Sequence, residues 1–370
     1  YRSLVALMDD VRRIEPDIKI DLPDIPERIR VKSAAFVEFA TRDDEKERLE
    51  ALLASMGFRC ASHHVSKSLA VWQQGDIRIV VNAETKGHAH STWLTRGTTV
   101  CDIGIEVASA RDTLQRATAM GAKAFSQPLA PNEINIPAIR GLGGSLLHFL
   151  DQSSGLADVW SVEFSSDTDD THSDAGLVCV DHLAQTMSYD QMLSWSLFYT
   201  TLFSMNKAEM VDVIDPDGLV RSQALTTKDG TFRITLNGAE THRTLAGGFL
   251  AETFGASVQH IALATDDIFV TARALAARDF DPLPMPENYY ADLAARFDLA
   301  PPLIAELRAL NILYDRDEGG EFFQIYSQPF SGGMFFEIVE RRGSYIGFGA
   351  PNAPFRIAAQ KRLMRPRGMP

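Results

Sequence analysis

The second half of this chain repeats the first, and that duplication constrains the fold more tightly than any local propensity. Four anchors recur in the same order: Phe36-Val37-Glu38-Phe39 with Val180-Asp181-His182-Leu183, residues 75–82 with 229–237, 101–105 with 259–263, and 146–150 with 335–339. Each third anchor is followed by a helical pattern, over 110–120 and 268–278. Within the first copy, an extended apolar run from Val31 leads into a helical pattern over 43–55 that Gly57 is suited to stop. Strand-like alternation follows at 69–72 and 76–82. The order is β-α-β-β-β. The chain is therefore predicted to be an α+β protein of tandem β-α-β-β-β repeats curled into two half-barrel-like domains.

Domain limits follow from what lies outside the repeats. Residues 1–30 read as an N-terminal tail: a short amphipathic helix, then a connection marked by Asp24-Ile25-Pro26, with no strand partner. The chain opens at Tyr1 rather than Met, so the tail is expected to be a remnant of a preceding domain. Residues 31–152 form a first domain, 153–175 an acidic linker whose run 165–174 has no apolar period, and 176–370 a second domain. The second copy is longer, with an insertion around 282–310 and a tail beyond Phe348; enlarged loops on one copy are where function concentrates. The smaller copy must bury its outer sheet face, which predicts a homo-oligomer.

Charge narrows the partners. A formal charge of −13 opposes a nucleic-acid partner, and the cluster Lys361, Arg362, Arg365 and Arg367 reads as a solvated helix end. No apolar run approaches the roughly 18–20 residues that span a bilayer, and no signal segment opens the chain, so a cytoplasmic protein without a membrane partner is expected. Cys60, Cys101 and Cys179 are far apart and form no CxxC pair, which leaves any metal to histidine and carboxylate.

Three matched strands of the second copy carry His182, His260 and Glu337. Singly, each reads as an ordinary strand residue. Together they place a carboxylate and two imidazoles among apolar neighbours, where an unpaired charge would cost several kcal/mol, so a divalent cation is their simplest common partner. Two histidines and one carboxylate on one face leave positions open, the arrangement of non-haem Fe(II) oxygenases. The first copy has Glu38, Asp102 and His148 at the positions matched by the anchors; these read as paired to one another or to solvent, which makes that half a non-catalytic scaffold.

At these residues the chain resembles the 4-hydroxyphenylpyruvate dioxygenase family, of the vicinal-oxygen-chelate (glyoxalase/dioxygenase-like) fold, over about residues 35–355. The shared motifs are the HRSK-like His64-Val65-Ser66-Lys67, Val180-Asp181-His182-Leu183, Val258-Gln259-His260-Ile261, Tyr289-Tyr290, Phe323-Gln324-Ile325, Phe335-Phe336-Glu337-Ile338 and Gly347-Phe348-Gly349. The resemblance implies His182, His260 and Glu337 as catalytic ligands of Fe(II) or another divalent metal. It also implies an aromatic 2-oxo acid and O2 as substrates, bound through Ser222, Asn237, Gln259 and Gln324 and walled by Phe336, Phe348 and Phe355. Residues 353–365 are implied to form a lid helix. The implied reaction is oxidative decarboxylation with ring hydroxylation. Asn237-Gly238-Ala239 and Tyr326 depart from the family pattern and bear on the substrate. Tyr1-Arg2-Ser3-Leu4 resembles the last helix of the barrel in bacterial 3-dehydroshikimate dehydratases, some of which carry such a module. That implies a second reading, a metal-binding accessory module fused to a dehydratase barrel. A ring-cleaving or lyase member of the same fold acting on a catechol is a third.

Overall fold

A computed structural model describes residues 2–15, 17, 25–166 and 174–364. Two curled nine-stranded sheets dominate a mixed α/β architecture. The first contains β1 (Val31–Ala40), β2 (Arg59–His64), β3 (Leu69–Gln74), β4 (Ile77–Asn82), β5 (Thr99–Val107), β6 (Ala124–Phe125), β7 (Ala138–Arg140), β8 (Leu146–Leu150) and β9 (Phe164–Ser166), in spatial order β6-β7-β8-β5-β1-β4-β3-β2-β9. The second contains β10 (Leu177–Ser188), β11 (Met205–Lys207), β12 (Val211–Asp215), β13 (Gly218–Thr227), β14 (Arg233–Ala239), β15 (Ser257–Thr265), β16 (Leu313–Arg316), β17 (Gly320–Tyr326) and β18 (Phe335–Gly343). Their order is β11-β13-β14-β10-β15-β18-β17-β16, with β12 on β13.

Helices follow local sequence logic. Asp43–Ser55 opens with Asp43, Asp44 and Glu45, whose charges favour the positive helix start, and it buries Leu49 and Leu53. Gly57 then turns the chain at φ +84°, where a Cβ would lie 2.7 Å from the backbone nitrogen of Ala175. Helix Ala110–Ala119 starts on the Ser109 hydroxyl and on Asp151, which accepts the Ala110 N–H at 2.7 Å. Among the described residues, no helix is long and apolar enough to cross a membrane.

Three expectations are corrected. First, β5 and β15 do correspond through Asp102 and His260, and β8 and β18 through His148 and Glu337: Asp102 pairs with Leu146 and Gly104 with His148, as His260 pairs with Phe335 and Ala262 with Glu337. But Phe36 lies opposite Gly104 while His182 lies opposite Ala262, so Phe36 and not Glu38 occupies the place of His182. The first anchor is displaced by two residues. That is one full strand period, so the slip keeps every side chain on its face and an alternation pattern cannot reveal it. Second, the expected linker is ordered structure as far as Ser166. Helix Val159–Val162 lies within it, and β9 pairs antiparallel with β2, because Val159, Trp160 and Phe164 pack on Phe36. Residues 167–173 of the linker lie outside the described residues. Third, the N-terminal segment is a packed element. Helix Arg2–Ile14 buries Val5 and Ala6 with Ile25 and Met120, and its Asp9, 1% exposed, pairs with Arg12, Arg13 and the buried Arg116. Asp24, and Arg365 and Arg367 of the basic cluster, also lie outside the described residues.

The largest core joins the two sheets. Phe39 of β1 meets Phe336 of β18 at 6.2 Å between ring centroids, and Thr99 and Ser257 share a hydroxyl hydrogen bond of 3.0 Å.

Candidate metal centre

Strands β10, β15 and β18 lie side by side, and each contributes one polar side chain to the same concave face. The His182 Nε2 atom is 3.2 Å from His260 Nε2 and 3.5 Å from Glu337 Oε2, which is 3.4 Å from His260 Nε2. Ligands held at right angles about 2.1 Å from one ion stand roughly 3 Å apart, so these three donor atoms fit the corners of one coordination face. His182 and Glu337 are 2% exposed. Burial raises the Glu337 carboxyl above its usual range, partly offset by His182 and Gln324. The His260 imidazole is driven well down by burial and by its neighbours His182 and Arg356. It is therefore neutral, with a free electron pair, at physiological pH.

A second layer fixes the first. His182 Nδ1 lies 2.7 Å from Asp181 Oδ1, which makes Nδ1 the proton-bearing nitrogen and leaves Nε2 as the donor to a metal. Neighbours in a regular strand point to opposite faces; the register shift between Val180 and His182 breaks that alternation where the pair forms. Arg341 donates to both Asp181 oxygens at 2.7 and 2.9 Å, and Arg233 to Oδ2 at 3.2 Å. Burial alone would raise Asp181, but the hydrogen bonds from His182 and Arg341 overcome it and hold the carboxyl far below the usual range. Behind Glu337, the Gln324 amide donates to Oε1 at 2.6 Å and to the Tyr326 hydroxyl at 2.8 Å, and accepts from Asn352 at 2.7 Å. At Gly349, φ is +60° and a Cβ would stand 2.2 Å from the Gln324 oxygen, so only glycine fits.

The expected substrate contacts divide. Ser222, Asn237, Gln259 and Phe348 line the cavity of about 90 Å³ over the triad, together with Tyr326 and Thr235. Gln324 does not line it; it supports Glu337 from behind. Phe336 and Phe355 do not line it either. Phe336 must face away from the site because its neighbour Glu337 faces in, and it is core against Phe39. Phe355 turns to Tyr289 at 5.0 Å, and the next residue of the C-terminal helix Ala353–Met364, Arg356, enters the cavity instead. Sequence reasoning missed Asp181, Arg233, Arg341 and Arg356 as site groups. An acid directly preceding a candidate ligand histidine was the available signal for Asp181. Arg356 had none beyond a charge on a helix taken as a lid.

In the first half, His148 Nδ1 pairs with Asp102 Oδ2 at 2.5 Å, and Glu38 accepts from Asn82 at 2.8 Å. Burial and the neighbouring Asp102 push Glu38 up to about 7. His64, Glu133 and Glu163 also cluster there. His64 Nδ1 accepts the backbone N–H groups of Ser66 and Lys67 at 3.1 Å each, which leaves Nε2 protonated and donating to Glu163 at 3.1 Å. The turn thus satisfies Nδ1, and Glu163 satisfies Nε2.

Residues 27–165 match the family described as "Hydroxyphenylpyruvate dioxygenase, HPPD, N-terminal". A 3-dehydroshikimate dehydratase of Pseudomonas putida is 37% identical over 97% of this chain, which spans 57% of that protein's length. A 4-hydroxyphenylpyruvate dioxygenase of Pseudomonas aeruginosa is 33% identical, over 86% of this chain and 90% of its own. A solved "xylose isomerase-like TIM barrel/4-hydroxyphenylpyruvate dioxygenase fusion protein" superposes with a TM-score of 0.86 at 36% identity, over 98% of this chain and 58% of that one.

Proposed function

Because the chain belongs to the 4-hydroxyphenylpyruvate dioxygenase family, we propose that it is an Fe(II)-dependent dioxygenase module acting on a 2-oxo acid, with His182, His260 and Glu337 as the metal ligands. The observation that carries this reading is the buried trio of donor atoms 3.2–3.5 Å apart, with one imidazole already oriented by Asp181. Bound there, Fe(II) would supply a chelating centre for the keto acid and the electrons that activate O2. The chain's own residues set the conditions. Asp181 holds the His182 proton on Nδ1, Gln324 fixes the Glu337 carboxylate, and Ser222, Asn237 and Gln259 offer polar groups to orient the organic substrate. The C-terminal helix covers the cavity and is tied to β12 by Lys361 pairing with Asp215. Such a cover excludes water during chemistry. In this reading residues 176–370 form the metal-binding domain and 31–152 its scaffold.

The test is oxygen uptake with product analysis on the Fe(II)-loaded chain, with Glu337→Ala as control. Keto-acid-dependent uptake and CO2 release, absent in the variant, are expected; with 4-hydroxyphenylpyruvate the product would be homogentisate. Unchanged iron stoichiometry in His182→Ala would remove the ligand assignment.

A second reading is supported by the similarity to dehydratases and by the fraction of their length that the chain spans. Here the module belongs to a fused protein with an N-terminal barrel and does not turn over 4-hydroxyphenylpyruvate. Homogentisate formation would count against it.

A further inference from the structure

We propose that Arg356 selects a second anionic group, so that the site takes a 2-oxo acid that is a dianion rather than one ending in a neutral hydroxyl. The inference rests on the keto-acid reading above and names the substrate class within it. Arg356 projects from the C-terminal helix into the cavity that the triad floors. Its guanidinium carbon stands 4.9 Å from the Phe335 ring centroid and 5.8 Å from that of Tyr326. Phe335 in turn stacks on His260, at 4.8 Å and 21° between planes, so the cation lies one ring away from a metal ligand.

The guanidinium has little to hold. Nη1 donates to Gln360 at 2.7 Å, and among the described residues no carboxylate lies within ion-pair distance of it. Asp215, which lines the same cavity, is taken by Lys361 and by the N–H groups of Asp217 and Leu245. A guanidinium offers five N–H donors in a planar fork that matches a carboxylate, and here Gln360 is the one side-chain acceptor it meets among the described residues. Charge points the same way. A divalent cation, the Glu337 carboxylate and Arg356 together carry a net charge of +2 beside two neutral imidazoles; a monoanionic keto acid answers only half of it. A second carboxylate on the substrate would answer the rest. Tyr326 lines the same cavity.

The experiment is anaerobic calorimetric titration of the Mn(II)-loaded full chain with matched pairs of acids. The pairs are 4-carboxyphenylpyruvate against phenylpyruvate, and 2-oxoglutarate against 2-oxopentanoate. A preference for the dianion of about ten- to a hundredfold is expected in at least one pair, the range of one buried charge-assisted contact. Arg356→Met should abolish that preference by weakening the dianion far more than the monoanion, and Arg356→Lys should keep part of it. Equal affinity within both pairs overturns the inference and leaves the keto-acid reading standing. Equal weakening of both members by Arg356→Met also overturns it, because the guanidinium would then hold the shared keto-carboxylate. Failure of all four acids to bind while Mn(II) binds overturns both readings. Should either variant fold poorly, the preference of the unmodified chain decides by itself.

Discussion

Replacing Asp181 with Asn separates the proposed metal ligands from the layer that orients them. The carboxylate accepts from His182 at 2.7 Å and takes two hydrogen bonds from Arg341 and one from Arg233. An amide keeps the shape but loses the charge, and turning its NH2 toward His182 would favour the tautomer that carries the proton on Nε2, where a metal must bind. Losing such a partner costs roughly ten- to a hundredfold in metal affinity, or about 1.4–2.7 kcal/mol. The same change leaves Arg341 and Arg233 short of an anion, at a further cost in folding stability of roughly 3 kcal/mol. The sign of the pH dependence follows. The folded carboxyl titrates below its unfolded value of about 3.9, so its contribution is complete above about pH 4 and fades as the pH falls through the folded value. Chelator competition with Fe(II) or Co(II) at pH 7 measures the first effect, and urea unfolding at pH 7 measures the second. An Asp181→Asn protein that binds metal within twofold of the unmodified chain would refute the orienting role, whatever its stability.

Other perturbations test separate parts of the structure. Phe336→Ala should cost about 3–5 kcal/mol in denaturant unfolding without changing which keto acids bind, because the ring is core and not cavity wall. Gly349→Ala should lower metal affinity by pushing Gln324 off Glu337, and a crystal structure of the variant should show that amide displaced. Asp151, held at about 2 by backbone and serine donors despite burial that would raise it, supports helix Ala110–Ala119. Its contribution is present above about pH 4 and lost as pH falls from about 4 to 2, so Asp151→Ala should lose about 1 kcal/mol at pH 7 and little at pH 2.

The grouping of His182, His260 and Glu337 was legible because charged and imidazole side chains are conspicuous in apolar strands that would otherwise have no use for them. The two curled sheets were legible for the same reason, through apolar strands that recur in each half. What stayed hidden has identifiable causes. The displaced first anchor, Phe36 for Glu38, preserves strand parity and so leaves no trace in the alternation. Strand parity alone, by contrast, would have turned Phe336 away from the pocket once Glu337 was placed in it. Helix Ala353–Met364 has apolar and charged residues on all sides, so nothing in its pattern distinguished Phe355 from Arg356 as the residue facing the cavity.

The contact between Phe336 and Phe39 has a consequence for the order of assembly. The strand that presents Glu337 rests on a residue made near the beginning of the described chain, and His182, His260 and Glu337 stand on strands far apart in sequence. Contacts of such long range form late, after the loop-closure entropy of both sheets has been overcome. A chain emerging during synthesis exposes His182 and His260 long before Glu337 exists, so the trio closes only when the last strand docks between its neighbours. If the proposed centre takes a metal, loading is therefore expected to report completed folding, and metal added early is expected neither to nucleate the sheet nor to compensate for a first half that has failed to form.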